Sequence, residues 1–94
     1  MILLLLLGCL TYSSGQVQRG ELNCELLDVC GDLATLGYDG VAACKSAAAA
    51  QDVSDDDCPD FDPAAMSACL DAYRAAIDAA ECDADLTSAC AVCG

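Results

Sequence analysis

Nine cysteines in 94 residues constrain this chain more than any other feature. One of them, Cys9, follows an apolar N-terminal run. The other eight are Cys24, Cys30, Cys44, Cys58, Cys69, Cys82, Cys90 and Cys93. An even set in a short exported chain reads as four disulfides. Eight cysteines can pair in roughly a hundred ways, and spacing alone does not choose among them. The length allows one domain. Its core must be thin, because Phe61 is the only Phe, there is no Trp and much of the apolar content is alanine. A core of that kind needs staples. Each bridge is expected to contribute about 2–4 kcal/mol, mainly by restricting the unfolded chain.

The N-terminus, Met1 to Leu7, is Met-Ile-Leu-Leu-Leu-Leu-Leu, followed by Gly8-Cys9-Leu10. The run is far short of the ~20 residues that span a bilayer. It reads as the apolar region of an export signal. Two processing routes are open. Leu6-Leu7-Gly8-Cys9 resembles a bacterial lipobox, which implies cleavage after Gly8 and a diacylglyceryl group on the Cys9 sulfur. Ser13 and Gly15 instead suit an ordinary signal peptidase cutting after Gly15. The lipobox accounts for the odd cysteine, for the small residue at position 8 and for a mostly polar stretch over Leu10 to Gly20 as a tether. Against it, Leu7 is larger than the residue usual there, and no Lys or Arg precedes the run. The expected organisation is an export signal over 1–8 (1–15 on the second route), a lipidated cysteine and tether over 9–20, and a disulfide-rich domain over 21–94. Leu10 is not acidic, which by analogy with sorting rules in enteric bacteria points to the outer membrane.

Helical signals dominate the rest. Asp62 suits an N-cap and Pro63 the first helical position. Met66, Cys69, Leu70, Tyr73, Ile77 and Ala80 then recur at three- and four-residue steps, with Asp71, Arg74 and Asp78 opposite. These features predict a helix over about 62–81, with Cys69 on its buried stripe. Leu22, Leu26, Val29, Cys30 and Leu33 predict a helix over about 20–34, with Cys24 on its flank and Gly31 weakening its end. A third helix is expected over about 39–51, capped by Asp39 and carrying Val41, Cys44 and Ala48. Residues 52–59 read as an acidic loop, 83–88 as a turn, and 89–94 as a return segment for the last two cysteines. No alternating β-branched run appears. The expected class is all-α: a small disulfide-stapled bundle of about three helices behind an N-terminal signal and tether.

Leu3-Leu4-Leu5-Leu6-Leu7-Gly8-Cys9, Cys24-Glu25-Leu26-Leu27-Asp28-Val29-Cys30-Gly31, Ala43-Cys44, Asp57-Cys58-Pro59-Asp60-Phe61-Asp62, Ala68-Cys69-Leu70-Asp71 and Cys90-Ala91-Val92-Cys93 together carry a family likeness. In these cysteine spacings and in composition the chain resembles the small Ala/Asp-rich, cysteine-rich lipoproteins of myxobacteria and related bacteria. The resemblance extends over the whole chain. It implies an envelope location and a stapled architecture, and it implies no activity.

Sixteen acids against Arg19, Lys45 and Arg74 give a net charge of −13. Such a surface repels a phosphate backbone, which excludes nucleic-acid binding as a main role, and it also repels anionic lipid. The acids read as a solvated surface; adaptation to salt would leave the same mark. Cys90-Ala91-Val92-Cys93 could be a redox dithiol or half of a zinc site. It has no basic neighbour to lower a thiol pKa, and the chain has no His, so structural disulfides are the expected use. Asp52, Asp55, Asp56, Asp57, Asp60 and Asp62 could hold a hard cation, but the calcium-loop pattern fails for want of its Gly and closing Glu. Without His there is no common general base near neutral pH. Lys45, Ser67 and Ser88 lack activating partners. The expected function is a non-catalytic exported lipoprotein domain at the bacterial envelope. Its role is structural or protein-binding, with no cofactor and with Cys9 lipid as anchor. A freely secreted effector or signal protein, and a metal-binding module, are the alternatives.

Overall fold

Thr11 opens the first helix. Its hydroxyl accepts from the Ser14 N–H at 3.2 Å, and the Thr11 N–H donates to Ser14 Oγ at 3.0 Å. Two backbone donors that the first turn would leave unpaired are thereby satisfied. A third, the Ser13 N–H, donates to Asp55 Oδ1 at 2.9 Å. The helix, α1, spans Tyr12–Val29. It ends at Gly31, in the left-handed region (φ +73°). There the Asp32 N–H reaches Leu27 O at 2.9 Å and the Gly31 N–H reaches Asp28 O at 3.1 Å, the paired closing bonds of a glycine-terminated helix.

The structure is a computed structural model that describes residues 10–93. Among the described residues there are three α-helices, two short 3₁₀ turns and no strand. The fold is a small all-α bundle stapled by four disulfides. α2 spans Val41–Ala49 and α3 spans Pro63–Ala79; the 3₁₀ turns are Ala34–Leu36 and Asp55–Asp57. α3 starts as its sequence dictates. Asp62 Oδ1 accepts from the Ala64 N–H at 3.0 Å and the Ala65 N–H at 3.3 Å, with Pro63 at the first position.

The other two helices depart from expectation. α1 begins at Tyr12 rather than near residue 20 and stops at Val29 rather than 34, so most of the segment read as a tether over 9–20 is helix. The reason is that α1 packs on two sides. At about 100° per residue, Gly15, Leu22 and Leu26 face α3, whereas Gly20, Cys24 and Leu27 face α2. A search for one apolar stripe misses a helix that serves two neighbours. α2 is capped by Gly40, without a side-chain hydrogen bond, and not by Asp39.

Both α2 and α3 pack on α1 and scarcely touch each other. The larger core gathers Met66, Cys69, Leu70 and Tyr73 from α3 with Cys90 and Val92 of the returning tail; Leu22, Leu26 and Phe61 close around them. On α3, Ala76 continues the buried stripe, while Ile77 is half-buried and Ala80 is exposed. The smaller core is Cys24, Leu33 and Cys44, flanked by Leu27, Tyr38 and Val41.

Candidate functional site

The bridges pair Cys24 with Cys44, Cys30 with Cys82, Cys58 with Cys93, and Cys69 with Cys90. The first ties α1 to α2. The second ties the end of α1 to the segment after α3. The last two fold the tail along the start of α3, where the Asp62 N–H also donates to Val92 O at 3.0 Å. Cys90 and Cys93 are therefore not bonded to each other; each reaches a different partner. In this pairing each sulfur is held in its own bridge, and the two do not form a Cys90–Cys93 pair. The framework fits an oxidising compartment. Cys9 and the stretch 1–8, expected to be an export signal, lie outside the described residues.

The acidic loop also has local work. Asp55 caps α1, as described above, and Asp62 caps α3. The Ser54 N–H donates to Asp57 Oδ2 at 3.2 Å, closing the 3₁₀ turn. These carboxylates are exposed. Among the described residues no group of three or more His, Cys, Asp or Glu side chains converges as a metal site would. No described helix is long and apolar enough to cross a membrane.

What the topology does build is a polar cleft. Because α2 and α3 lean on different sides of α1, the strip of α1 between them is left open. Gln16, Arg19, Gly20 and Asn23 form its floor, with Gln51 just past α2 on one wall and Tyr73 of α3 on the other, around about 250 Å³. Arg19 is the hinge of this surface, since it also lines two adjoining hollows. One, of about 290 Å³, runs to Cys30–Cys82 with Asp32 and Asp85 on its edge. The other, of about 390 Å³, runs to Tyr12 and the Cys90–Cys93 tail.

The guanidinium of Arg19 sits 6.0 Å from the Tyr73 ring centroid, within range of a cation–π contact. Its Nε donates to the Tyr73 hydroxyl at 3.5 Å. The other two cations are each held by a carboxylate: Lys45 by Glu25 at 3.4 Å and Arg74 by Asp71 at 2.9 Å. Among the described residues Arg19 has no such partner. Beside it, the Gln16 amide donates from Nε2 to the Tyr12 hydroxyl at 3.1 Å, while its Oε1 is buried and accepts nothing. At the rim, the Thr87 N–H donates to Asp85 at 3.1 Å and, with the Thr87 hydroxyl, holds that carboxyl below its ordinary value.

Nothing in the sequence alone joins Arg19 to Tyr73. The signal available was the polar set Gln16, Arg19, Gly20, Asn23, which recurs at three- and four-residue steps as one strip of a helix. It became visible only once the helix was known to begin at Tyr12. At the N-terminal end of the fold, Leu10, Tyr12, Pro59 and Phe61 line a separate hollow of about 410 Å³, with the Tyr12 and Phe61 rings edge to face at 6.0 Å. Compared with protein-family models, curated proteins and solved structures, the chain matches none.

Proposed function

We propose that the chain is a non-catalytic, exported domain held at a bacterial envelope membrane by lipid on Cys9, with a structural or protein-binding role. The observation that carries this reading is the disulfide framework. It uses all eight cysteines beyond residue 9 and leaves Cys9 as the odd one. The start of α1 favours a cut before Cys9 over a cut after Gly15. The second cut would remove the Thr11 cap, the Ser13 contact to Asp55 and the Tyr12 packing on Phe61. Leu10 beside the anchor favours the outer membrane.

A second reading, a freely secreted effector or signal protein, is supported by the shortness of the link to an anchor. Only Leu10 and Thr11 separate Cys9 from α1, so a lipid there would hold an acidic body against the headgroups. Intact mass spectrometry after expression in a bacterial host tests the two. A chain beginning at Cys9 with the added diacylglyceryl mass is the expected result. An unmodified soluble chain beginning at Gln16 would overturn the anchor.

A further inference from the structure

We infer that the Cys30–Cys82 bridge is a redox latch: a dithiol opens it ahead of the other three bridges and so frees the segment 81–89 from α1. Burial separates this bridge from the rest. Cys24, Cys44, Cys58 and Cys69 are buried, and so is Cys90 at 8% exposure. Each of the other three bridges therefore has at least one buried half. Cys82 is exposed and Cys30 half-buried. Both line the hollow of about 290 Å³ beside α1. A thiolate attacks one sulfur of a disulfide and expels the other as a thiolate, so the surroundings of both sulfurs matter. Cys93 is exposed too. Attack there would expel a thiolate on Cys58, at 2% exposure, where an unpaired charge is costly. Attack on Cys82 leaves that charge on Cys30, at the edge of a hollow.

One thiolate of the dithiol bonds to the Cys82 sulfur. The Cys30 sulfur leaves with the S–S electron pair and takes a proton from water. The second thiol, deprotonated, attacks the mixed disulfide, and Cys82 leaves in the same way. Two electrons pass to the protein, and the dithiol becomes a disulfide. Asp28, Asp32, Glu81, Asp83 and Asp85 stand within three residues of one or other cysteine, and their charge disfavours a thiolate. Access, not an activated sulfur, is what selects this bridge. The segment it holds makes local hydrogen bonds. The Glu81 N–H donates to Ala76 O at 2.9 Å, the Ala84 N–H to Glu81 O at 3.3 Å and the Thr87 N–H to Asp85 Oδ1 at 3.1 Å. α3 fixes one end, Cys69–Cys90 fixes the other, and Leu86 packs on the larger core. The covalent tie to α1 is Cys30–Cys82. Once it opens, the segment lifts from the hollow it shares with Leu26, Leu27 and Tyr73. This latch is independent of the lipid anchor.

The test is partial reduction of the oxidised protein with dithiothreitol in native buffer, quenched at intervals with iodoacetamide and read by peptide mass mapping. Cys30 and Cys82 should be labelled first, at least about tenfold faster than any other pair, while the helical circular dichroism is retained. Labelling of another pair first would overturn the proposal. So would labelling of every bridge together, because sulfur would then be reached only through global unfolding. Movement of the segment is read by NMR on the singly opened, alkylated protein and on the double variant Cys30→Ser, Cys82→Ser. In both, amide order parameters over 83–88 should fall to about 0.6 or below, while those over 66–77 stay at about 0.85. The Tyr73 ring signals should shift. Melting curves confirm that the variant is folded; if it is not, the alkylated parent carries the measurement alone. Unchanged order over 83–88 would show that the bridge is not what holds the segment, and would sink the latch.

Discussion

The two flanks of α1 are built from different materials. Toward α3, the core holds Met66 and Cys69 at 0% exposure, with Leu70 and Tyr73 beside them. Its bridges tie the tail and the loop before α3 to a helix that already carries an apolar stripe. Toward α2, two of the four buried residues are the halves of a single cystine, and the helix surface is alanine: Ala48, also buried, packs against Gly20. On the first flank, sulfur reinforces a hydrophobic core. On the second, the cystine is half of the core. Covalent closure and apolar burial are thus alternative means of holding a helix in place, and this fold uses a different balance of them on each side.

The largest effect should come from removing the bridges together. Four closures at about 2–4 kcal/mol each rival the whole stability of about 5–15 kcal/mol expected of a domain. Full reduction should therefore abolish the cooperative melt and most of the helical circular dichroism. A reduced protein that stays helical and melts sharply would show that both flanks hold without sulfur. Next is Met66→Ala, which empties the centre of the larger core. Buried large-to-small changes cost about 2–5 kcal/mol, so urea unfolding should show a global loss in that range. A loss below about 1 kcal/mol would mean that the α3 flank depends on its bridges as the α2 flank does.

Removing Cys24–Cys44 by the double change to alanine separates the flanks directly. The bridge joins residues 20 apart, and closing such a loop is worth about 3 kcal/mol. With so little apolar surface left, α2 should detach locally: amide protection should fall over 41–49 and persist over 66–77. Equal loss in both segments would show that the two flanks unfold as one unit.

How far this division could be read from the chain follows the same lines. α3 was legible almost to the residue because Asp62-Pro63 marks its start and one apolar stripe marks its buried side. α1 was misplaced because its apolar residues are split between two faces and its cap is Thr11–Ser14, where the third position usually carries Glu or Gln. α2 was found from its alanines, but its start was not, because Gly40 caps it through backbone alone. That the cysteines would pair was legible from their number; which pairs form depends on how three helices lie in space, and spacing along the chain does not carry that. The cleft was hidden for the same reason. It exists because α2 and α3 avoid each other, and Gln16, Arg19 and Asn23 look like ordinary solvated residues until both neighbours are in position.

The smallest expected effect probes a tight approach on the weaker flank. A Cβ at position 20 would lie 2.9 Å from Ala48 Cβ, closer than two such atoms can sit. Ala48 is buried and has no side-chain torsion, so α2 itself must move away. At Gly15 the atoms in the way are the Cγ, Sδ and Cε of Met66, a side chain with torsions that can give. Gly20→Ala gains roughly 0.5–1 kcal/mol in helix propensity and loses about 1–3 kcal/mol to overpacking. The net should be a destabilisation of about 1 kcal/mol, read as reduced amide protection over 41–49. Adding Ala48→Gly reopens the gap and should restore part of that protection, although it weakens α2 intrinsically. If Gly20→Ala alone stabilised the protein by its helix propensity, the two helices would not be in contact there. The cystine would then be the main tie between α1 and α2.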